Sequence, residues 1–150
     1  MYVPYIVHDR IRDNILEMIE WNEKYSVNVS EIDEEHKKLI EIINKVIVAR
    51  QHNNDPEEVL EILREMTRYA LNHFKTEETY MVKFGYPDYQ SHKKEHHDFS
   101  NKTIEYCKSI DNGDYQITDD LLEYLQQWLV HHIQEIDKKY TNCFNKHGLE

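Results

Sequence analysis

Ten histidines in a chain of 150 residues is the count that asks for a chemical explanation. Imidazole binds metals and moves protons near neutral pH, and both tasks need it at a defined angle to its neighbours. An α-helix advances about 100° per residue, so the angle of each histidine to the apolar stripe can be read from its position. Taking His73 as zero, Met66 and Phe84 fall at about 20°, Ala70 at about 60° and Glu77 at about 40°, all in one stripe. Glu78 falls at about 140°, on the outer side. Taking His92 as zero, Phe99 lies at about −20°, Ile110 at 0° and His96 at about 40°, whereas His97 lies at about 140°. His36 shares a face with Ile32, Ile40, Ile43 and Ile47, and His132 lies among Leu125, Leu129 and Ile136. Five histidines and one carboxylate therefore point into an apolar interior. An unpaired carboxylate there is prohibitive and several unpaired imidazoles are costly, and a metal site would resolve both.

The elements that must carry these residues are marked by punctuation. Ser30-Glu31-Ile32-Asp33 reads as an N-cap with an acid three residues on, opening a first helix that fades at Gln51–Asp55. Asp55-Pro56-Glu57-Glu58 opens a second with a capping Asp, Pro at the first position and acids in the first turn. It runs to about Phe84, before Gly85. Tyr86-Pro87-Asp88 is a turn, and a third helix spans about Tyr89 to Ile110. Thr118, Asp119 and Asp120 open a fourth, which is expected to run unbroken to near Lys146. Short connections between long helices make antiparallel neighbours. The expected fold is all-α, an up-down-up-down four-helix bundle over 30–147, preceded by an N-terminal arm, 1–29. Within the arm Ile11, Ile15, Met18 and Ile19 suggest a short amphipathic helix. In an alternating bundle the starts of helices one and three share an end with the finishes of two and four. His36, His73, Glu77, His92, His96 and His132 then all converge at that end.

Composition bounds the rest. Lys plus Arg number 18 against 29 Asp plus Glu, a formal charge of −11. That balance lacks the basic patch that nucleic-acid binding needs, and it disfavours anionic membrane surfaces. No apolar run is long enough to span a bilayer, and the first residues do not read as a signal peptide, so a cytoplasmic location is expected. Cys107 and Cys143 form no pattern and read as reduced thiols. His8, His52, His97, His131 and His147 read as solvated, with His131 a candidate to support a ligand from behind.

Four blocks carry a resemblance: IDEEHKKLIEIIN around His36, HFKTEETYM around His73 and Glu77, YPDYQSHKKEHHDF around His92 and His96, and WLVHHIQEIDKKY around His132 and Asp137. In order and spacing they resemble the ligand signature of the hemerythrin family, within it the single-domain bacteriohemerythrins. The likeness covers about residues 19–145, and Trp21 with Tyr25-Ser26-Val27 resembles the family's segment before the first helix. It implies two non-haem Fe ions with an oxo or hydroxo bridge. One iron would take His92, His96 and His132, the other His36 and His73, with Glu77 and Asp137 bridging. Helical angle alone leaves the last bridge open. Asp137 lies about 140° from His132, while Glu135 lies at about −60°, as far from the stripe's centre on the other side. Only the resemblance selects Asp137.

That ligand set fills six positions on the first iron and five on the second, and an open position is where a small ligand binds. The resemblance thus implies reversible O₂ binding, for carriage, storage or delivery, as a terminal hydroperoxide on the five-coordinate iron held by His36 and His73. Phe74, Met81, Leu129 and Ile133 are the apolar candidates to line the O₂ pocket. Carboxylate-rich di-iron bundles place a Glu three residues before a His, and no histidine here has one. The expectation is a binding protein, not an enzyme. An O₂ or redox sensor is the alternative, with a di-iron peroxidase or nitric-oxide reductase behind it. A redox partner or O₂-consuming protein partner would be unidentified.

Overall fold

The structure is a computed structural model that describes residues 17–51, 55–112 and 119–150. Four helical segments form the bundle: α1 (Ser30–Gln51), α2 (Pro56–Lys83), α3 (Tyr89–Asp111) and a fourth that begins with α4 (Asp119–His131). The chain then makes a π-helical turn, His132–Ile136, and a 3-10 turn, Asp137–Tyr140, before finishing as α5 (Thr141–Lys146). The expected unbroken fourth helix is therefore interrupted over nine residues, at the stretch that carries His132 and Asp137. The amide of Asp137 bonds the carbonyl of His132, an i to i+5 bond that inserts one extra residue into the turn.

The other boundaries follow local chemistry. The Asp55 carboxylate accepts from the Glu57 amide at 3.0 Å, with Pro56 at the first helical position, where its missing N–H costs nothing. Helix α2 stops where Gly85 takes φ 64°, a left-handed conformation that a side chain would strain. The expected cap at Ser30 is not made by that residue, which is already helical. Asp33 reaches back past it instead, accepting from the Val27 amide at 2.8 Å and the Ser26 hydroxyl at 2.6 Å. That pair fixes the approach to α1, with Asn28 turning the chain at φ 55°.

Of the arm, residues 1–16, including Ile11 and Ile15, lie outside the described residues, as does His52. From residue 17 the chain is non-helical up to a 3-10 turn at Glu23–Tyr25. It is pinned to the bundle by Asn44, whose side chain accepts from the Ile19 amide and donates to the Ile19 carbonyl, both at 2.9 Å. The far end of the chain closes over the same region. Thr141 donates to the Val27 carbonyl at 2.8 Å and Asn145 to the Asn28 carbonyl at 3.0 Å.

The apolar interior forms two clusters. The larger includes Leu39, Ile43, Leu63, Phe74, Phe99, Leu129 and Ile133. The smaller contains Val27, Val29, Ile32, Met81, Tyr86, Tyr140 and Phe144. Along the helices the buried histidines and carboxylates fall between them: His36 between Ile32 and Leu39, Glu77 between Phe74 and Met81, Asp137 between Ile133 and Tyr140. A polar layer thus separates the two.

Candidate metal centre

The layer holds His36, His73, Glu77, His92, His96, His132 and Asp137, each at most 2 % exposed. The structure brings all seven residues together. The regular helices explain the first five: four-residue spacings put His73 with Glu77 and His92 with His96 on single faces. The π-helical turn explains Asp137. By winding five residues into the space of a turn it returns Asp137 to the face of His132, and their Oδ1 and Nε2 lie 2.9 Å apart. Glu135 remains exposed, so the π-helical turn decides what helical angle left open.

The two carboxylates sort the histidines into halves. Oε1 of Glu77 faces His36 at 3.2 Å and His73 at 3.0 Å. Its Oε2 faces His96 at 3.1 Å and His92 at 3.5 Å. Asp137 divides in the same sense, with Oδ2 at 3.0 Å from His36 and Oδ1 at 3.0 Å from His92 and 2.9 Å from His132. Two clusters of ligand atoms result, each within 4.8 Å internally. One joins His36 and His73, the other His92, His96 and His132, and both carboxylates belong to each.

Glutamates behind the imidazoles fix which nitrogen faces inward. Glu35 on α1 accepts from Nδ1 of His73 on α2 at 2.9 Å. Glu78 on α2 takes His96 on α3 at 3.2 Å, and Glu95 on α3 takes His132 at 2.9 Å. Each helix supports a histidine on the next. A carboxylate at Nδ1 holds the proton there and leaves the Nε2 lone pair pointing inward. The Nε2 atoms of His96 and His132 then face each other at 3.1 Å, and Nε2 of His73 faces a carboxylate oxygen at 3.0 Å. Those contacts are repulsive unless positive charge lies among them. Glu77 Oε2, both Asp137 oxygens and His92 Nε2 are moreover buried without a hydrogen-bond partner. The donor set and its orphaned atoms fit cations, and imidazole with carboxylate suits iron or zinc.

The electrostatics agree. Burial pulls His73 down, but the charge of Glu77 and the hydrogen bonds to Glu35 and Glu77 outweigh it and hold it at about 10. His92 is likewise pulled down by burial and lifted to about 10 by Asp137 and Glu77. Burial works to raise Glu77, yet the surrounding histidines hold it well below the usual carboxylate range. Asp137 is held low by His132 and His36 against both burial and the charge of Glu77. The layer draws in positive charge, as protons or as metal ions.

Sequence reasoning missed the three supporting glutamates. It placed Glu78 on the outer face, whereas its side chain is only 21 % exposed and bonds a candidate ligand. The available signal was adjacency: Glu35, Glu78 and Glu95 each sit one residue from a buried ligand candidate, on the helix flank nearest a neighbour. Tyr140 was missed too. Its hydroxyl donates to Oε1 of Glu77 at 2.8 Å, and burial with the charges of Glu77 and Asp137 pushes the phenol well above its ordinary value. The four expected pocket residues do not gather on one side. Phe74, Leu129 and Ile133 belong to the larger cluster, with Phe74 stacked on His96 at 3.9 Å, but Met81 belongs to the smaller one beyond the polar layer. His97, His131 and His147 are exposed.

Residues 27–143 match the Hemerythrin HHE cation binding domain. The bacteriohemerythrin of Methylococcus capsulatus is 31% identical over 122 residues, covering 81% of this chain and 92% of the relative. That of Clostridium acetobutylicum is 31% identical over 129 residues, covering 83% and 100%. A hemerythrin-like protein of Naegleria gruberi is 32% identical over 120 residues, covering 80% and 88%. The crystal structure of a wild-type hemerythrin superposes with a TM-score of 0.80 at 30% identity, covering 85% of this chain and 98% of that one. By its matched span, its bundle and its cluster of histidines and carboxylates, the chain belongs to the hemerythrin family.

Proposed function

We propose that the chain is a di-iron protein that binds O₂ reversibly, for carriage, storage or delivery, and is not an enzyme. The observation that carries this reading is the unequal division of ligands. Both carboxylates serve both halves, but three histidines serve one and two the other, which leaves one half a ligand short. The metal pair would supply two electrons and one open position for O₂. The protein's part is to hold that pair and keep water from it. Glu77 and Asp137 would bridge. Glu35, Glu78 and Glu95 orient imidazoles, and the rings of Phe74 and Trp128 lie flat against His96 and His132 at 3.9 and 4.3 Å, shielding the layer. Among the described residues every buried histidine and carboxylate is in the ligand set.

The test is optical. Iron per chain is quantified, the protein is reduced without air, and O₂ is added and then removed. Two irons per chain with a charge-transfer band that appears and bleaches reversibly support the carrier. A direct passage to a stable oxidised spectrum, or sustained turnover of peroxide or nitric oxide, overturns it. One observation favours a second reading, a redox sensor: the 3-10 turn of the arm packs against the π-helical turn that bears His132. A change in proteolysis of residues 17–29 with oxidation state would select that reading.

A further inference from the structure

We infer that Tyr140 is a positioning residue that makes the two ends of the bridging carboxylate Glu77 unequal, weakening it as a ligand toward the two-histidine half. The inference rests on the di-iron reading above. Among the described residues, Oε1 of Glu77 is the one oxygen of the two bridging carboxylates that accepts a hydrogen bond from a group outside the ligand set. That oxygen is also the one facing His36 and His73. Its twin, Oε2, has no such donor and faces His92 and His96. A carboxylate oxygen that accepts a proton's bond gives less density to a metal. The half with fewer histidines therefore also receives the poorer anionic donor. An ion there is more electron-poor and gives up an electron less readily than its neighbour.

The placement of the hydroxyl is rigid. Tyr140 is 0 % exposed, in the 3-10 turn that follows the π-helical turn. Its ring stacks on Phe144 at 4.2 Å and 8°, meets Tyr86 edge-on at 6.4 Å, and lies nearly parallel to His92 at 5.7 Å. The fourth helical segment thus supplies both a bridging carboxylate, Asp137, and the donor that fixes the other bridge.

The test compares the intact chain with Tyr140→Phe, which keeps the ring and removes the hydroxyl alone, and with a variant carrying 3-fluorotyrosine at 140, whose hydroxyl is a stronger donor. Each is loaded with Co²⁺, whose ligand-field bands report its surroundings, and separately with ⁵⁷Fe²⁺ without air. In Tyr140→Phe one of the two iron quadrupole doublets should move and the other stay. The midpoint potential should fall, and air oxidation of the reduced protein should quicken about fivefold, the scale set by loss of a hydrogen bond to a charged group. The fluorinated variant should shift the same signals the opposite way. Equal movement of both ions, no movement of either, or the same direction in both variants overturns the inference. If the intact chain takes two cobalt ions but no iron, the di-iron reading fails, and the cobalt bands still decide the role of Tyr140.

Discussion

Replacing Glu35 should weaken one metal ion and spare the other, and the size of the effect can be worked from its contacts. Glu35 lies on α1, yet its Oε2 accepts from Nδ1 of His73 at 2.9 Å while its Oε1 accepts from the Thr76 hydroxyl at 3.0 Å. The second bond anchors the carboxylate so that the first can orient the ring. A hydrogen bond to a charged group contributes about 1.5–3 kcal/mol and a neutral one about 0.5–1.5. Glu35→Gln keeps an acceptor and removes the charge, a difference of about 1 kcal/mol, or roughly fivefold in affinity. Glu35→Ala removes both, about 2 kcal/mol or roughly thirtyfold, inside the ten- to hundredfold range found when groups behind metal ligands are lost. The Glu35 side chain is 23 % exposed, so water takes up part of the loss and the lower end of each range applies. Glu95 does the same for His132 but is 37 % exposed, so Glu95→Ala should cost less and should act on the other ion. The assay is competition for Zn²⁺ or Fe²⁺ against a chromogenic chelator, which resolves two binding steps. Equal weakening of both steps by Glu35→Ala, or none, would refute the division of the layer into halves.

Three further outcomes are expected. His73→Ala should lose the ion of the two-histidine half, so metal analysis should fall from two ions per chain toward one, with the O₂-dependent band abolished. The metal-free protein should be most stable in mildly acidic solution. His73 and His92 are raised from 6.5 to about 10, so their contribution is complete below about pH 6.5 and is lost as pH rises through about 10. Glu77 and Asp137 are held well below their ordinary 4.5 and 3.8, so their contribution is present above those values and is lost in acid. Melting temperature against pH should show both limbs, and metal loading should remove the alkaline one because bound ions replace the protons. Leu63→Ala, at a side chain 0 % exposed in the larger cluster, should cost about 2–5 kcal/mol in urea unfolding without changing metal content.

The parts of the site carried by regular helices were legible in the sequence, because a fixed angle per residue is all that placing them requires. His36, His73, Glu77, His92 and His96 needed nothing more. Asp137 did not yield to the same arithmetic, since the arithmetic assumes an α-helix and the chain makes a wider turn between His132 and Ile136. That interruption also broke the helix expected to run unbroken to near Lys146. Glu35, Glu78 and Glu95 escaped for a different reason. Each lies on a helix flank, where an angle measured within one helix says only that a side chain leaves the core. Its partner is on the neighbouring helix, and a bond across helices depends on their spacing and register. Met81 shows the limit of the apolar stripe itself, which ranks residues by angle and not by their side of the polar layer.

The division of the interior by that layer bears on how the molecule comes apart. A core held by apolar contact alone unfolds as one unit, because every residue touches others that touch the rest. Here the two clusters meet across seven polar groups, whose mutual attraction requires positive charge in their midst. With ions present, the layer should act as a rivet and the bundle should melt in a single transition. Stripped of them, the smaller cluster holds its end of the bundle with fewer buried apolar side chains, among the described residues, than the larger one. That end unites the segment before α1, the α2–α3 corner and the close of the chain, and it becomes a separate cooperative unit with a lower opening free energy. Native-state hydrogen exchange on the stripped protein should then divide its amides into two groups along that boundary, where the loaded protein shows one.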